Sequence, residues 1–452
     1  MEARPPVLVI AVVVALCGVS LCGVAAAGNV TAAQLFPTSS YDSYHGAPVT
    51  YNVKNYGAKG NGAADDTKAL MAAWKVACAA AGTVTLQVPP GTYYMGPTQF
   101  HGPCQASSLT FLLQASKHSC SCWCRRARSR ACARACVRLA HRTYDGGSFR
   151  VHACMQGTLK AATDLSRFGN DWIEFGWVKG LIVAGQNGAT IDGQGASSWP
   201  FNKCPVRKDC KVLPTNTVVK DIASVNSKFF HFALLQNKNT KMLNLRINAP
   251  GNSPNTDGIH IERCTGVVIA DTKISTGDDC ISIGQGNDNV DIQRVNCGPG
   301  HGMSVGSLGR YVGEGDVTRV YVKDMNFDGT MNGLRIKTWE NSPTKSLAAH
   351  MVFENMVMKD VENPVIIDQK YCPYYNCEHK YVSGVTIKNI TFKNIKGTSS
   401  LPVAVMLRCG VPCQGVVLQD FDIKYKGAGG TSSKCENAKA KYVGYMYPKP
   451  CP

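Results

Sequence analysis

Short strand-like segments recur along the second half of this chain at nearly regular steps, and that recurrence restricts the fold more than any other feature. Asp257-Gly258-Ile259-His260-Ile261, Asp279-Cys280-Ile281-Ser282-Ile283, His301-Gly302-Met303-Ser304-Val305 and Asn332-Gly333-Leu334-Arg335-Ile336 begin 22, 22 and 31 residues apart. Asn363-Pro364-Val365-Ile366-Ile367 follows after another 31. In each, two apolar residues flank a more polar or solvent-facing one, the period of two that marks a strand with one buried face. A second set runs between them: Val267-Val268-Ile269, Val290-Asp291-Ile292 and Val320-Tyr321-Val322. Strands spaced this closely leave no room for crossover helices, which excludes a doubly wound sheet. Hairpins of a β-sandwich would not keep equivalent residues at such steps. The pattern predicts coils of a solenoid, each burying its inward side chains on the next. The expected fold class is all-β, a single-domain parallel β-helix over residues 28–452.

A solenoid end exposes unpaired strand edges, so a covering element is expected. Asp65-Asp66 can cap a helix on which Leu70, Trp74 and Cys78 follow at i, i+4 and i+8, and this is read as an N-terminal capping helix. Before it, Arg4, the apolar run Val7–Leu16 and Ala25-Ala26-Ala27 have the layout of a secretory signal peptide over residues 1–27. The run is too short for a comfortable membrane span of roughly 20 residues. Secretion into an oxidising compartment follows, and Asn29-Val30-Thr31 and Asn389-Ile390-Thr391 are glycosylation sequons that fit that route. The formal net charge is +17. On a secreted chain, that charge points to an acidic polysaccharide or wall matrix rather than to nucleic acid. No membrane partner is expected, and the chain is expected to be a monomer.

Residues 115–156 read differently from their surroundings. They carry nine Lys/Arg against one Asp, and six cysteines at 120, 122, 124, 132, 136 and 154. The spacing fits no zinc ribbon, because a second C-x-x-C partner is missing. Joining Gln114 to Gly157 restores a continuous strand-like sequence, so the segment reads as an insert of translated non-coding sequence. Outside it and the leader, Cys372/Cys377, Cys409/Cys413, Cys204/Cys210 and Cys280/Cys297 form close pairs, each suggesting a staple across one loop, with Cys264 the odd one out.

The repeat aligns Asp257, Asp279 and His301 on three consecutive coils, about 4.8 Å apart per coil. Asp278 adjoins Asp279, and Arg335 and Lys337 place two cations on one side of Ile336. A single Asp at a β-helix turn is usually a turn residue that bonds backbone amides. A pair facing a third carboxylate is different: like charges this close cost stability and raise a pKa, which suits acid–base chemistry.

Asn255-Thr256-Asp257, Gly277-Asp278-Asp279, Gly300-His301-Gly302 and Arg335-Ile336-Lys337, in this order and spacing, resemble the four signature motifs of the polygalacturonase family of glycoside hydrolases. The stretch from Gly298 to Gly309 is most similar to the plant pollen exopolygalacturonases, and the resemblance runs from about Tyr51 to Pro452, the insert excepted. Near Leu213-Pro214-Thr215-Asn216-Thr217 the chain lacks about one strand that the family usually carries. The resemblance implies a right-handed parallel β-helix and an inverting hydrolase of α-1,4 galacturonosidic linkages in pectin that uses no metal or other cofactor. It implies Asp278 as general acid, Asp257 and Asp279 as bases and His301 as the group that keeps the acid protonated. Arg335, Lys337 and Tyr371 would bind substrate. Inverting enzymes usually separate their carboxylates by about 6.5–9.5 Å, more than one coil step, so the stereochemistry rests on the resemblance. A pectate-lyase-like eliminase using calcium and a non-enzymatic wall-binding β-helix are the competing readings. Exo action is expected on resemblance, with endo action as the alternative.

Overall fold

The computed structural model describes residues 48–115, 121–124, 149–152, 157–168, 171–186, 188–201, 215–373 and 382–451. The expected signal segment and the Asn29 sequon lie outside the described residues, as do Cys204, Cys210 and Cys377. Parallel ladders dominate, as the repeat predicts. One face is built from six successive strands: β1 (Phe232–Leu235), β2 (Ile259–Glu262), β3 (Asp279–Ile283), β4 (Gly302–Leu308), β5 (Asn332–Trp339) and β6 (Asn363–Tyr371). Each pairs in parallel with the next. The second strand set stacks in the expected register, with Val267, Val290 and Val320 aligned and continuing to Met351, Ile390 and Val416.

Inward residues of adjacent coils form the core. Ile269, Ile292, Val322, Phe353, Phe392 and Leu418 occupy one register column and are all buried. Phe353 and Phe392 stack at 5.1 Å. Corners are turned by single residues at positive φ, and one corner repeats this on eight coils with Asp221, Asn244, Asp271, Arg294, Asp324, Asn355, Asn394 and Asp420. Short polar side chains bear this left-handed conformation best, because they can hydrogen-bond locally. Asn355, for instance, donates to Asp324 below and accepts from Asn394 above.

The capping helix α1 spans Thr67–Ala79 and buries Leu70, Trp74 and Cys78 with Ala73 and Ala77. Trp74 packs on Phe100 and Phe175, and its indole donates to the His101 carbonyl. The capping acids divide their work differently from the expectation. Asp65 accepts from the Thr67 amide, while Asp66 turns back to accept from the amides of Lys59 and Gly60. At the far end, Ser432–Tyr447 pairs only with Val403–Tyr425 among the described strands, and Lys434, Lys439 and Lys441 lie along it. No helix among the described residues is long and apolar enough to cross a membrane.

Disulfides join Cys280–Cys297 and Cys409–Cys413, as the spacing suggests, and Cys264 is a buried free thiol. Cys372 is also disulfide-bonded. Cys78–Cys104 and Cys435–Cys451 were not legible as close pairs; the first ties α1 to the turn after the Thr98–His101 strand. Within the expected insert, Ser121–Cys124 and Phe149–His152 pair with each other, antiparallel, and among the described strands with no other, outside the coil ladders. Its flanks meet: a Cβ on Gly157 would sit 1.8 Å from the Gln114 carbonyl oxygen.

Candidate active site

The carboxylates gather where β2 to β5 begin or pass through one face of the solenoid. Asp257 and Asp279 follow the 22-residue register that pairs His260 with Ser282. His301 departs from the expected column. A register shift opens between β3 and β4, so Asp279 lies opposite Gly302 rather than His301. The cause is the turn before β4, where Gly298, Gly300 and Gly302 all take positive φ. A Cβ at Gly302 would collide with the Asn332 carbonyl oxygen at 1.8 Å. The shift sets His301 against Asp278 instead: its amide donates to the Asp278 carbonyl, and Nδ1 lies 2.9 Å from Asp278 Oδ1.

Each carboxylate has a distinct environment. Asp279 is 1% exposed and is gripped by two cations, Arg335 at 2.8 Å on one oxygen and Lys337 at 2.8 Å on the other. Ser304 donates to it as well. Burial alone would raise its pKa, but Lys337 and Arg335 outweigh that and hold it at about 2. Asp257 is buried and accepts from the Ser282 hydroxyl at 2.7 Å. Burial, then the nearby Asp278 and Asp279, push its pKa well above the ordinary carboxylate value. Asp278 is the most accessible of the three side chains and is contacted by His301 and Asn255. The hydrogen bond to Asp278 raises the His301 pKa against the opposing effect of burial.

Arg335 and Lys337 therefore do not stand free for a ligand. With Asp279 they form a trio of two positive charges and one negative, which leaves one net positive charge on the trio. Tyr371, at the end of β6, covers this trio, its ring 5.3 Å from Lys337 Nζ and 5.9 Å from the Arg335 guanidinium carbon. Trp339 meets Tyr371 edge-on and carries Arg310 over its own face. All seven expected residues thus converge on one patch.

Beneath lies a polar layer of which only Arg335 was expected from the sequence. His260, Ser282, Ser304 and Arg335 occupy one register position on four consecutive strands. His260 Nδ1 lies 2.8 Å from Ser282 Oγ, and Arg335 Nε donates to Ser304 Oγ. The signal was the polar fourth column of the aligned repeat.

Atoms of Asp278, Asp279 and His301 lie within 4.8 Å of one another, a grouping that could hold a metal ion. Its donor set suits one poorly, because both oxygens of Asp279 are already bonded to cations and one oxygen of Asp278 to the His301 imidazole. What the arrangement can do is hold and move protons beside a site for an anion.

Comparison with known proteins identifies the family of the chain. The model of the glycosyl hydrolases family 28 matches residues 146–444. An exopolygalacturonase of Platanus acerifolia is 40% identical over 410 residues, covering 88% of this chain and 96% of the relative. An exopolygalacturonase of Zea mays is 39% identical over 89% of this chain and 90% of its own, and a polygalacturonase of Brassica napus 39% over 88% and 92%. Among solved structures, an endo-xylogalacturonan hydrolase from Aspergillus tubingensis superposes with a TM-score of 0.67 at 18% identity, covering 88% of this chain and all of its own. An exopolygalacturonase from Thermotoga maritima superposes at 0.63, also at 18% identity, over 87% and 91%. At that identity these two establish the right-handed parallel β-helix fold alone. The sequence match over most of the chain establishes the lineage: this protein is a glycoside hydrolase belonging to glycosyl hydrolases family 28.

Proposed function

We propose that this hydrolase cleaves α-1,4 galacturonosidic linkages of pectin and polygalacturonate, acting from a chain end with inversion. The observation that carries the substrate class is the Arg335–Asp279–Lys337 trio, whose surplus positive charge offers charge-assisted bonds to a galacturonate carboxylate. Tyr371 walls the same subsite. The names of the relatives support the exo mode.

Asp278 is the general acid, because it is the carboxylate most open to a leaving glycosidic oxygen. Asp257 and Asp279 orient and deprotonate the attacking water. In the cycle, Asp278 gives its proton to the leaving oxygen while water gives one to a base. The cluster then holds its proton on Asp257, and Asp278 is left ionised against His301. Asp257, whose proton affinity burial raises, is suited to take the proton from water, and His301 lies against Asp278. His301, itself partly exposed, returns a proton to Asp278.

The exposed Asn389 supports passage through the secretory route and a place in the cell wall. The test is a product time course on polygalacturonic acid. Monogalacturonate released from the start, of inverted anomeric configuration, supports the reading. Early oligomers would make the action endo, an unsaturated product would make the enzyme an eliminase, and no reducing ends would leave a binding protein.

A further inference from the structure

The hydrogen bonds under the carboxylates do not end at Asp257. Its Oδ2 accepts from Ser282 Oγ at 2.7 Å, and Ser282 Oγ lies 2.8 Å from His260 Nδ1. A serine hydroxyl has one hydrogen. If that hydrogen is given to Asp257, the oxygen must accept, so His260 Nδ1 carries the hydrogen between them. The other ring nitrogen, Nε2, lies 3.7 Å from Glu262 Oε2. Phe230 lies along the imidazole at 4.8 Å and fixes its plane. Asp257 and Ser282 are buried, whereas the His260 side chain is 16% exposed. The chain therefore runs from a buried carboxylate to a side chain that reaches solvent.

We propose that Ser282 and His260 form a proton exit from Asp257, and that His260 is a positioning residue that resets this base after each turnover. The inference rests on the reading of Asp257 as a base. After hydrolysis, Asp257 holds the hydrogen taken from water. That O–H bond breaks as the hydrogen passes to Ser282 Oγ. The O–H bond of Ser282 breaks in turn as its own hydrogen passes to a bare His260 Nδ1. Asp257 is left ionised, Ser282 donates to it again, and the imidazolium releases its Nε2 proton to water; before the next turnover the ring takes a proton back on Nε2, the position that faces Glu262, and gives up the one on Nδ1, so that Nδ1 is bare again. No oxidant or second substrate is needed. The hydrogen bonds that result are those of the structure.

The groups facing this chain are Asp278, Asp279 and Lys337 at the Asp257 end, and Glu262 at the other. Arg263 and Gln285 bond Glu262 in turn, and these contacts with those of His260 hold it at about 2 despite burial, which opposes them. Glu262 thus stays anionic and favours a hydrogen on Nε2. The strand neighbours of His260, Ala233 and Ser282, add no charge.

The test uses the whole enzyme on polygalacturonic acid. Ser282→Ala breaks the chain, and His260→Asn keeps a donor but cannot take up a proton. Each should lower kcat about tenfold, below the ~10²–10⁴ of a direct acid or base, with KM within about twofold. Each should also move the acidic limb of the kcat–pH profile to higher pH, since Asp257 loses the route by which it ionises. The double variant should be no slower than either single one, and Ser282→Thr should recover most of the rate. Should Ser282→Ala not fold, Ser282→Cys, of nearly equal volume and a poor donor, makes the same test. Unchanged kcat and pH profile, or losses that multiply in the double variant, would overturn the proposal. Asp257→Asn separates the two readings. If it is inactive while the Ser282 and His260 variants are wild-type, the exit alone fails; if it keeps full kcat, the base assignment itself fails.

Discussion

Lys337→Met tests the charge trio at the centre of the site. Asp279 is held at about 2, against an ordinary value of 3.8. At 1.36 kcal/mol per pKa unit, the contacts of Asp279 outweigh its burial by about 2 kcal/mol once the group is ionised. Lys337, buried and 2.8 Å away, supplies the largest favourable share. Arg335 remains in the variant, so the loss should stay below the ~3–5 kcal/mol typical of orphaning a buried charge. A destabilisation of about 2 kcal/mol is expected near pH 6. A carboxyl whose folded-state pKa is depressed stabilises fully above its unfolded value and loses that contribution as pH falls through the folded one. The gap between wild type and variant should therefore be complete above about pH 4 and close toward about pH 2. Urea unfolding at stepped pH reads this directly, with m unchanged if the denatured states are alike. A gap that stays constant from pH 6 to the acid limit, or no gap at all, would refute the electrostatic account.

Asp278→Asn keeps the shape and removes the acid, so kcat should fall by at least about 10²-fold with the melting curve preserved; wild-type turnover would refute the assignment. Phe392→Ala opens a cavity against Phe353 in a fully buried column and should cost about 3–5 kcal/mol in urea unfolding without altering KM. Deleting residues 115–156 should raise secreted yield and leave activity per folded molecule unchanged, because Gln114 and Gly157 already touch. Lower specific activity after the deletion would mark the segment as a functional loop.

The coil register was legible because it is written in inward apolar residues. Val267, Val290 and Val320 stack as their spacing implies, since slipping one residue would turn a whole strand inside out. His301 was misaligned by one position for a reason the spacing does not carry. Three glycines at positive φ absorb an extra residue before β4, and only the backbone reveals where. His260, Ser282 and Ser304 were passed over because a polar residue at an outward strand position ordinarily faces water. Here three such positions coincide beneath buried carboxylates. The staples that were missed, Cys78–Cys104 and Cys435–Cys451, join parts of the chain whose nearness depends on how the cap and the last coil fold back.

Between β3 and β4 the register offset is 22 residues, between β4 and β5 and again between β5 and β6 it is 31, and from β6 to its next partner it is 40. The strands nevertheless keep the same inward column through all of these steps. Strand spacing acts as a ruler, and coil length is free to vary around it. Extra residues collect at the corners, as in the loop after Leu308 where Glu314 ties down the amides of Gly309, Arg310 and Tyr311. Corner loops can therefore lengthen or shorten while the spacing of the side chains that the strands carry stays fixed by the hydrogen-bond repeat of the backbone.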